Sequence, residues 1–311
     1  MTPVNSYLRP ATAEQAVQMA SGCTSGFRFL AGGTDVWVNK FQGVDTNPCL
    51  IDLTGIGEMS QIRMEDGQLV IGALLCLEDI WQYPAIRTEC PVLAEAALAV
   101  ASPVIRKTAT LGGNLMCENR CVFYNQSEWW REAVGYCLKC NGDICIATGG
   151  KKNCFSKFVS DTAVALISLG AKVNLTSQSG SYTLNVEDLY SGDGVYPHAK
   201  DPASLICSVS VPLGQGFRSS FRKLRQRQTL DFSSLTTAVT IGGDEKIRIV
   251  LGGVDPKPVL VEGSPADHPD ALIKQAVKKA RIVDNDVYPR LYRKEMIRVF
   301  LEKSLRELSL Y

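Results

Sequence analysis

The sequence predicts an α+β fold with mixed and antiparallel sheets, on three observations. The first fifty or so residues alternate short helical and short apolar stretches. The chain beyond Pro212 turns to longer strand-like runs, and two helical segments close it. With 311 residues it has room for more than one domain. We place the boundary near Pro212, giving domains 1–212 and 213–311.

The elements follow in order. TAEQAVQMA (12–20) is a helix with Thr12 as its cap and a small-residue face. GFRFLAGGTDV (26–36) runs a short strand into a glycine pair, after which Thr34 and Asp35 can cap the next helix. PCLIDL (48–53) is a short buried strand. Alternation in QIRMEDGQLVIGAL (61–74) predicts a hairpin turning at Asp66-Gly67. ECPVLAEAALAVA (89–101) is an Ala-rich helix suited to close packing. TATLGGNL (108–115) brings a second glycine pair. The next forty residues lose apolar periodicity and carry cysteines, Trp129, Trp130 and charges. Order returns with a helix ending at Gly170 and a strand to about 177. Strands follow at 204–213, 218–226, 236–242 and 246–254, then helices at about 269–280 and 288–308. The last helix is amphipathic, a pattern that packs on its own domain.

Basic and acidic side chains balance at 33 against 32, which argues against a nucleic-acid partner and against an acidic disordered chain. No apolar run approaches the roughly 18–20 residues of a membrane helix. The start, MTPVNSYLRP, lacks the layout of a secretory signal. The expectation is a cytoplasmic protein with no membrane contact.

There are eleven cysteines and two histidines, His198 and His268. Both histidines lie in polar, Pro-containing stretches, which argues against histidine-based zinc, heme or triad chemistry. Cys117, Cys121, Cys137, Cys140, Cys145 and Cys154 fall within 38 residues, where even scatter would place about one. Cys23, Cys49, Cys76, Cys90 and Cys207 stand singly in apolar company, as small core residues do. Disulfides are disfavoured in a cytoplasmic chain. Zinc is open, since Cys117-x3-Cys121 and Cys137-x2-Cys140 could pair as knuckles. An iron–sulfur cluster is open too, because it needs four thiolates and tolerates long loops between them. Phe123, Tyr124, Trp129, Trp130 and Phe155 could cover it, the covering role being preferred for the two tryptophans over a partner surface. The composition predicts a metal or cluster site without choosing the metal.

Each glycine pair could bring bare N–H groups against a diphosphate at a helix start, or be a plain strand-to-helix turn. Neither GxGxxG nor GxxxxGK[ST] is present, so dinucleotide-fingerprint and P-loop readings have no support.

FLAGGTDV (29–36), TLGGN (110–114), SDTAVALISLGAKV (160–173), FRKLRQRQTLDF (221–232) and LGGVDPKPV (251–259) occur in that order. Together they resemble the FAD-binding medium subunit of the xanthine dehydrogenase family of molybdenum hydroxylases. The resemblance covers nearly the whole chain. It implies a two-part FAD-binding domain of the PCMH/vanillyl-alcohol-oxidase type and a smaller α+β C-terminal domain. Most of that family passes almost directly from TxGGN to the SD motif. The inserted segment 115–158, with spacing Cys121-x15-Cys137-x7-Cys145-x8-Cys154, is similar to the β subunit of 4-hydroxybenzoyl-CoA reductase.

That resemblance implies an additional [4Fe–4S] cluster on Cys121, Cys137, Cys145 and Cys154, with Cys117 and Cys140 outside the set. It implies FAD contacts at Phe29, Leu30, Ala31, Gly32, Gly33, Thr34, Asp35 and Val36 in a diphosphate loop, and at Thr110 and Asn114 in the second turn. Asp161 would hydrogen-bond ribityl or ribose hydroxyls, Lys223 would lie near the isoalloxazine, and Val100 and Ile206 would pack on the flavin. Arg227 and Asp231 read as an intradomain ion pair, and 251–259 as a structural turn. No residue is expected to be catalytic. The implied complex adds a large molybdenum subunit and a small two-[2Fe–2S] subunit, as a paired αβγ unit. No motif for a second dinucleotide is seen, so the implied donor is ferredoxin and the implied reaction is reductive dehydroxylation to benzoyl-CoA. Alternatives are a different aromatic or N-heterocyclic substrate, or an FAD subunit whose cysteine loop holds structural zinc.

Overall fold

The computed structural model describes residues 4–310. Three sheets organise it. A parallel three-stranded sheet has Cys49–Asp52 in the middle, flanked by Ser6–Leu8 and Phe27–Leu30. An antiparallel five-stranded sheet runs Ile62–Glu65, Gln68–Gly72, Leu205–Pro212, Lys172–Ser177, Gly180–Asn185. A four-stranded antiparallel meander holds Arg218–Leu224, Leu235–Ile241, Ile247–Gly252 and Val259–Gly263 in sequence order. The α+β expectation therefore holds, and among the described strands parallel neighbours occur in the N-terminal sheet alone.

Local chemistry explains several boundaries. Thr12 Oγ1 accepts from the Gln15 N–H at 3.3 Å and opens the helix Ala13–Gly22, whose Ala13, Ala16, Val17 and Ala20 are buried. The hairpin turns at Asp66-Gly67, both with positive φ (51° and 71°), the primed two-residue turn that matches strand twist. Pro91 starts the Ala-rich helix Pro91–Ala99.

The helix Asp161–Ser168 is buried at all eight residues. It packs on Pro91–Ala99 and on the strands Leu235–Ile241 and Ile247–Gly252. Strand Leu235–Ile241 lies between that helix and the terminal helix Arg290–Glu307, so all seven of its residues are buried. Thr240 satisfies its hydroxyl against Ser168 Oγ at 2.8 Å. Two apolar cores result. The larger joins residues 13–211 and takes in Ala238 and Val250. The second packs the outer face of the meander against Pro269–Lys279 and Arg290–Glu307. Ile297, Leu301 and Leu305 of the last helix are buried there, as its amphipathic pattern predicts. Among the described residues no helix is long and apolar enough to cross a membrane.

The isolated cysteines are less solitary than the sequence suggests. Cys49 and Cys90 are buried, but Cys23, Cys76 and Cys207 are only half-buried, and the sulfurs of Cys23 and Cys49 lie 3.1 Å apart.

Candidate flavin and cysteine sites

The two glycine pairs meet in space. Gly32 packs so closely on the second run that a Cβ there would lie 1.7 Å from the Thr108 carbonyl oxygen, and Gly33 has φ +69°. Glycine is thus required first by the contact of one loop with the other, then by a left-handed backbone. In the second run the pair lies inside a short helix, Leu111–Leu115, whose cap Thr110 accepts from the Gly113 N–H at 3.2 Å.

These turns form one wall of a cavity of about 820 Å³, the scale of a cofactor site. Phe29, Ala31, Gly32, Gly33, Thr34, Asp35, Val36, Val100, Thr110, Asn114, Asp161, Ile206 and Lys223 all line it. Leu30 is the exception. It alternates to the other side of its strand, buried in the sheet core and off the cavity wall. Two buried polar atoms on the wall, Arg120 Nε and Ser204 Oγ, have no partner within the chain. A polar, phosphate-bearing ligand with an apolar ring system fits a wall of this composition.

Two expected contacts turn out to be engaged already. Asp161 accepts from Lys223 Nζ at 2.5 Å, from Thr236 Oγ1 at 2.9 Å, and from Ser233 Oγ. Its carboxylate therefore ties the buried helix to the meander while still lining the cavity. Lys223 also donates to the Ala99 carbonyl at 3.0 Å, so its charge is paired. Asn114 Oδ1 accepts from Ser160 Oγ at 2.9 Å and Thr162 Oγ1 at 2.6 Å, locking the second glycine turn to the start of that helix. Asp35 is the N-cap residue of the helix Val36–Phe41, but its side chain makes no capping hydrogen bond. Its carboxylate instead accepts from Asn39 Nδ2 and pairs with Arg120. The Arg227–Asp231 ion pair is present, with Asp231 accepting from the Arg227 backbone as well. In the 251–259 turn, Asp255 takes both Arg281 Nε and Nη2.

The far end of the cavity was not legible in the sequence. Residues 195–205, including His198, Lys200 and Ser204, close it opposite Arg28 and Asp45. Burial pushes the His198 imidazole down to about 4 and the Lys200 amine down to about 8. Burial alone would push the Asp45 carboxyl up, but Arg28 and the hydrogen bonds from Asn47 together hold it below the ordinary range. A polar loop without periodicity gave no signal for any of this.

The cysteine segment separates its six cysteines. Cys121, Cys137, Cys145 and Cys154 line one small pocket with Phe123, Tyr124, Leu138, Lys139 and Ile146. Cys117 faces the flavin cavity instead. Cys140 stays beside Cys137, 3.6 Å between sulfurs, off the pocket wall. The knuckle set Cys117, Cys121, Cys137 and Cys140 is therefore not gathered. Trp129 is 75% exposed, and neither it nor Trp130 nor Phe155 lies on the pocket wall, contrary to the covering role expected of them. Phe155 stacks under Arg281. Among the described residues no three Cys, His, Asp or Glu side chains converge on one metal position. In a cluster each thiolate binds a different iron, so convergence on one point is not required of a cluster site. Burial pushes the Cys121 thiol up to about 12 and Cys154 upward as well. Lys139, stacked over Tyr124 and paired with Glu118, sets a cation at this wall.

The base of the segment is pinned. Arg120 and Lys157 exchange two backbone hydrogen bonds of 2.9 and 2.8 Å. Asn119 Nδ2 donates to the Ser156 and Pro256 carbonyls, and Lys157 Nζ pairs with Asp286.

Residues 2–214 match the family of the FAD binding domain in molybdopterin dehydrogenase. The chain belongs to the FAD-binding medium subunits of the molybdenum hydroxylases. The aldehyde oxidoreductase FAD-binding subunit of Escherichia coli is 32% identical to this medium subunit over 83% of the chain and 82% of its own length. The glyceraldehyde dehydrogenase medium chain of Sulfolobus acidocaldarius is 22% identical over 99% of both. Among solved structures, a Cu,Mo-CO dehydrogenase chain matches with a TM-score of 0.76 at 23% identity, covering 98% of both chains. A quinoline 2-oxidoreductase chain from Pseudomonas putida gives 0.74 at 17% identity, over 99% of this chain and 97% of that one. The fold of the medium subunit is thus the α+β, PCMH-type FAD-binding fold of the CO dehydrogenase medium chain.

Proposed function

We propose that this medium subunit is an electron-transfer subunit that holds two redox groups, FAD in the glycine-walled cavity and a [4Fe–4S] cluster on Cys121, Cys137, Cys145 and Cys154. The observation that carries the reading is the sorting of the cysteines: these four share one pocket wall, while Cys117 and Cys140 do not. FAD supplies a centre that takes either one or two electrons, which suits a position between one-electron clusters and a two-electron reaction. The chain's residues bind and orient. Gly32 and Gly33 give backbone access, Val100 and Ile206 give apolar walls, and Lys223, held by Asp161, stands at the same cavity. Phe123, Tyr124, Leu138 and Ile146 keep water from the thiols. No side chain is assigned as a general acid or base.

In this reading the subunit works in a complex with a large molybdenum subunit and a small subunit of two [2Fe–2S] clusters, in paired αβγ units. Electrons enter from reduced ferredoxin at the cysteine segment. The substrate is 4-hydroxybenzoyl-CoA: two electrons and two protons remove its phenolic hydroxyl as water and leave benzoyl-CoA. The support for that substrate is the spacing of the cysteine segment.

A second reading keeps FAD and the cluster but changes the substrate. Named relatives include a nicotinate dehydrogenase FAD-subunit of Eubacterium barkeri, 26% identical over 72% of this chain and 62% of its own length. The subunit would then serve another aromatic or N-heterocyclic substrate. In a third reading the loop holds zinc.

Iron, acid-labile sulfide and zinc per FAD, measured anaerobically on the purified chain, separate these. About four irons and four sulfides, with an EPR signal after dithionite that is lost in Cys121→Ser or Cys145→Ser, are expected. Zinc without iron sinks the cluster. Turnover of 4-hydroxybenzoyl-CoA by the purified complex then separates the first reading from the second.

A further inference from the structure

The cysteine segment and the flavin cavity share one side chain. Arg120 immediately precedes Cys121, is nine-tenths or more buried, and lines the cavity. Its Nη2 pairs with Asp35 and its Nη1 donates to Asn39 Oδ1 at 3.1 Å. Its guanidinium lies 4.5 Å from the centre of the Phe232 ring. Its backbone closes the base of the cysteine segment against Lys157. Nε is buried without a partner.

Asp35 sits two residues beyond Gly33 and on the same cavity wall. A carboxylate there, left uncompensated, repels a diphosphate bound at the glycine turn, and in a partly dry site that repulsion is strong. Among the described residues Asp35 forms its ion pair with Arg120, with Arg28 acting on it from farther off, and Arg120 comes from the cysteine segment.

We propose that Arg120 is a positioning residue that makes flavin binding depend on the folded cysteine segment, by neutralising Asp35 beside the diphosphate turn. The inference rests on FAD occupying this cavity with its diphosphate at Gly32–Gly33. It makes the link reciprocal, as any linkage of two equilibria must be: closing the segment favours FAD, and FAD steadies the segment.

The test compares FAD with riboflavin, which has the ring and ribityl chain but no diphosphate. Both are titrated into the purified full chain by flavin fluorescence, for the unmodified chain, Arg120→Gln, Asp35→Asn and the double variant. Arg120→Gln is expected to weaken FAD by about tenfold or more, the scale of one uncompensated charge, and to leave riboflavin nearly unchanged. Asp35→Asn, which has no charge left to neutralise, sets the reference affinity, and the double variant is expected to match that reference. Limited proteolysis within 121–156 is expected to slow on FAD addition in the unmodified chain and not in Arg120→Gln. Equal losses for FAD and riboflavin, or a double variant as weak as Arg120→Gln, overturn the proposal. If Arg120→Gln does not fold, the folded Asp35→Asn and double variants decide it, since a double variant much weaker than Asp35→Asn also overturns it. Failure of the unmodified chain to bind FAD at all would instead overturn the underlying cavity reading.

Discussion

At the scale of single residues, the cavity is built by exclusion as much as by contact. Gly32 has a neighbouring carbonyl where its Cβ would be. Gly32→Ala should therefore shift backbone in both glycine turns, lowering stability by about 1–3 kcal/mol and loosening FAD in parallel. Thermal melts with and without FAD measure both. Lys223 and Asp161 form a buried pair at 2.5 Å. Lys223→Met strands the carboxylate at a cost of about 3–5 kcal/mol, whereas Lys223→Met with Asp161→Asn should recover most of it; urea unfolding of the four chains checks this. Each glycine pair by itself reads equally as a plain turn, and only the ordered set of motifs and its family resemblance marked FLAGGTDV and TLGGN as one wall. The partner of Asp35 was not legible. Arg120 lies 85 residues away, and nothing local marks an arginine as the partner of so distant an acid.

At the scale of elements, patterns of period served best where one face meets water. The terminal helix reads as amphipathic and its Leu301 is fully buried against the meander. Leu301→Ala should cost about 2–5 kcal/mol, while Leu291→Ala, 71% exposed in the same helix, should cost less than about 0.5 kcal/mol. Chemical denaturation distinguishes them. Helix Asp161–Ser168 and strand Leu235–Ile241 are covered on every side, so periodicity says little about their neighbours. The loop 195–205 carries no period at all, yet closes the cavity. Burial holds His198 at about 4 against an ordinary 6.5. A depressed histidine adds stability that is complete above the unfolded value and is lost as pH falls from about 6.5 toward about 4. Stability and FAD retention should both decline across that window, and His198→Gln should flatten the stability decline. A pH series of melts on the two chains would show whether it does.

At the scale of the whole molecule, the N-terminal elements build a glycine-lined wall, the meander supplies Lys223 and Phe232, and the cysteine segment is laid across both. The α+β class was legible because short helices and strands alternate in the first fifty residues and long strands followed by two helices fill the chain beyond Pro212. Which surfaces face one another was not, since Asp161–Thr236, Asn119–Pro256 and Lys157–Asp286 join residues 75, 137 and 129 positions apart. The cysteine spacing alone left two groupings open; the set that the resemblance implies, Cys121, Cys137, Cys145 and Cys154, is the one that lines a single pocket.

The paired hydrogen bonds between Arg120 and Lys157 have a consequence for how such a chain can be assembled from parts. They bring the entry and exit of the intervening residues to adjacent positions, like the mouth of a drawstring bag. The length of what lies between them can vary while the two ends stay adjacent, provided that the bonds Arg131, Cys154 and Phe155 make to Gln42, Gly194 and Asn285 are kept or replaced. A short turn spliced from 120 to 157 is compatible with the surrounding frame where those bonds are replaced, and a metal-binding module of another size could be grafted at the same seam.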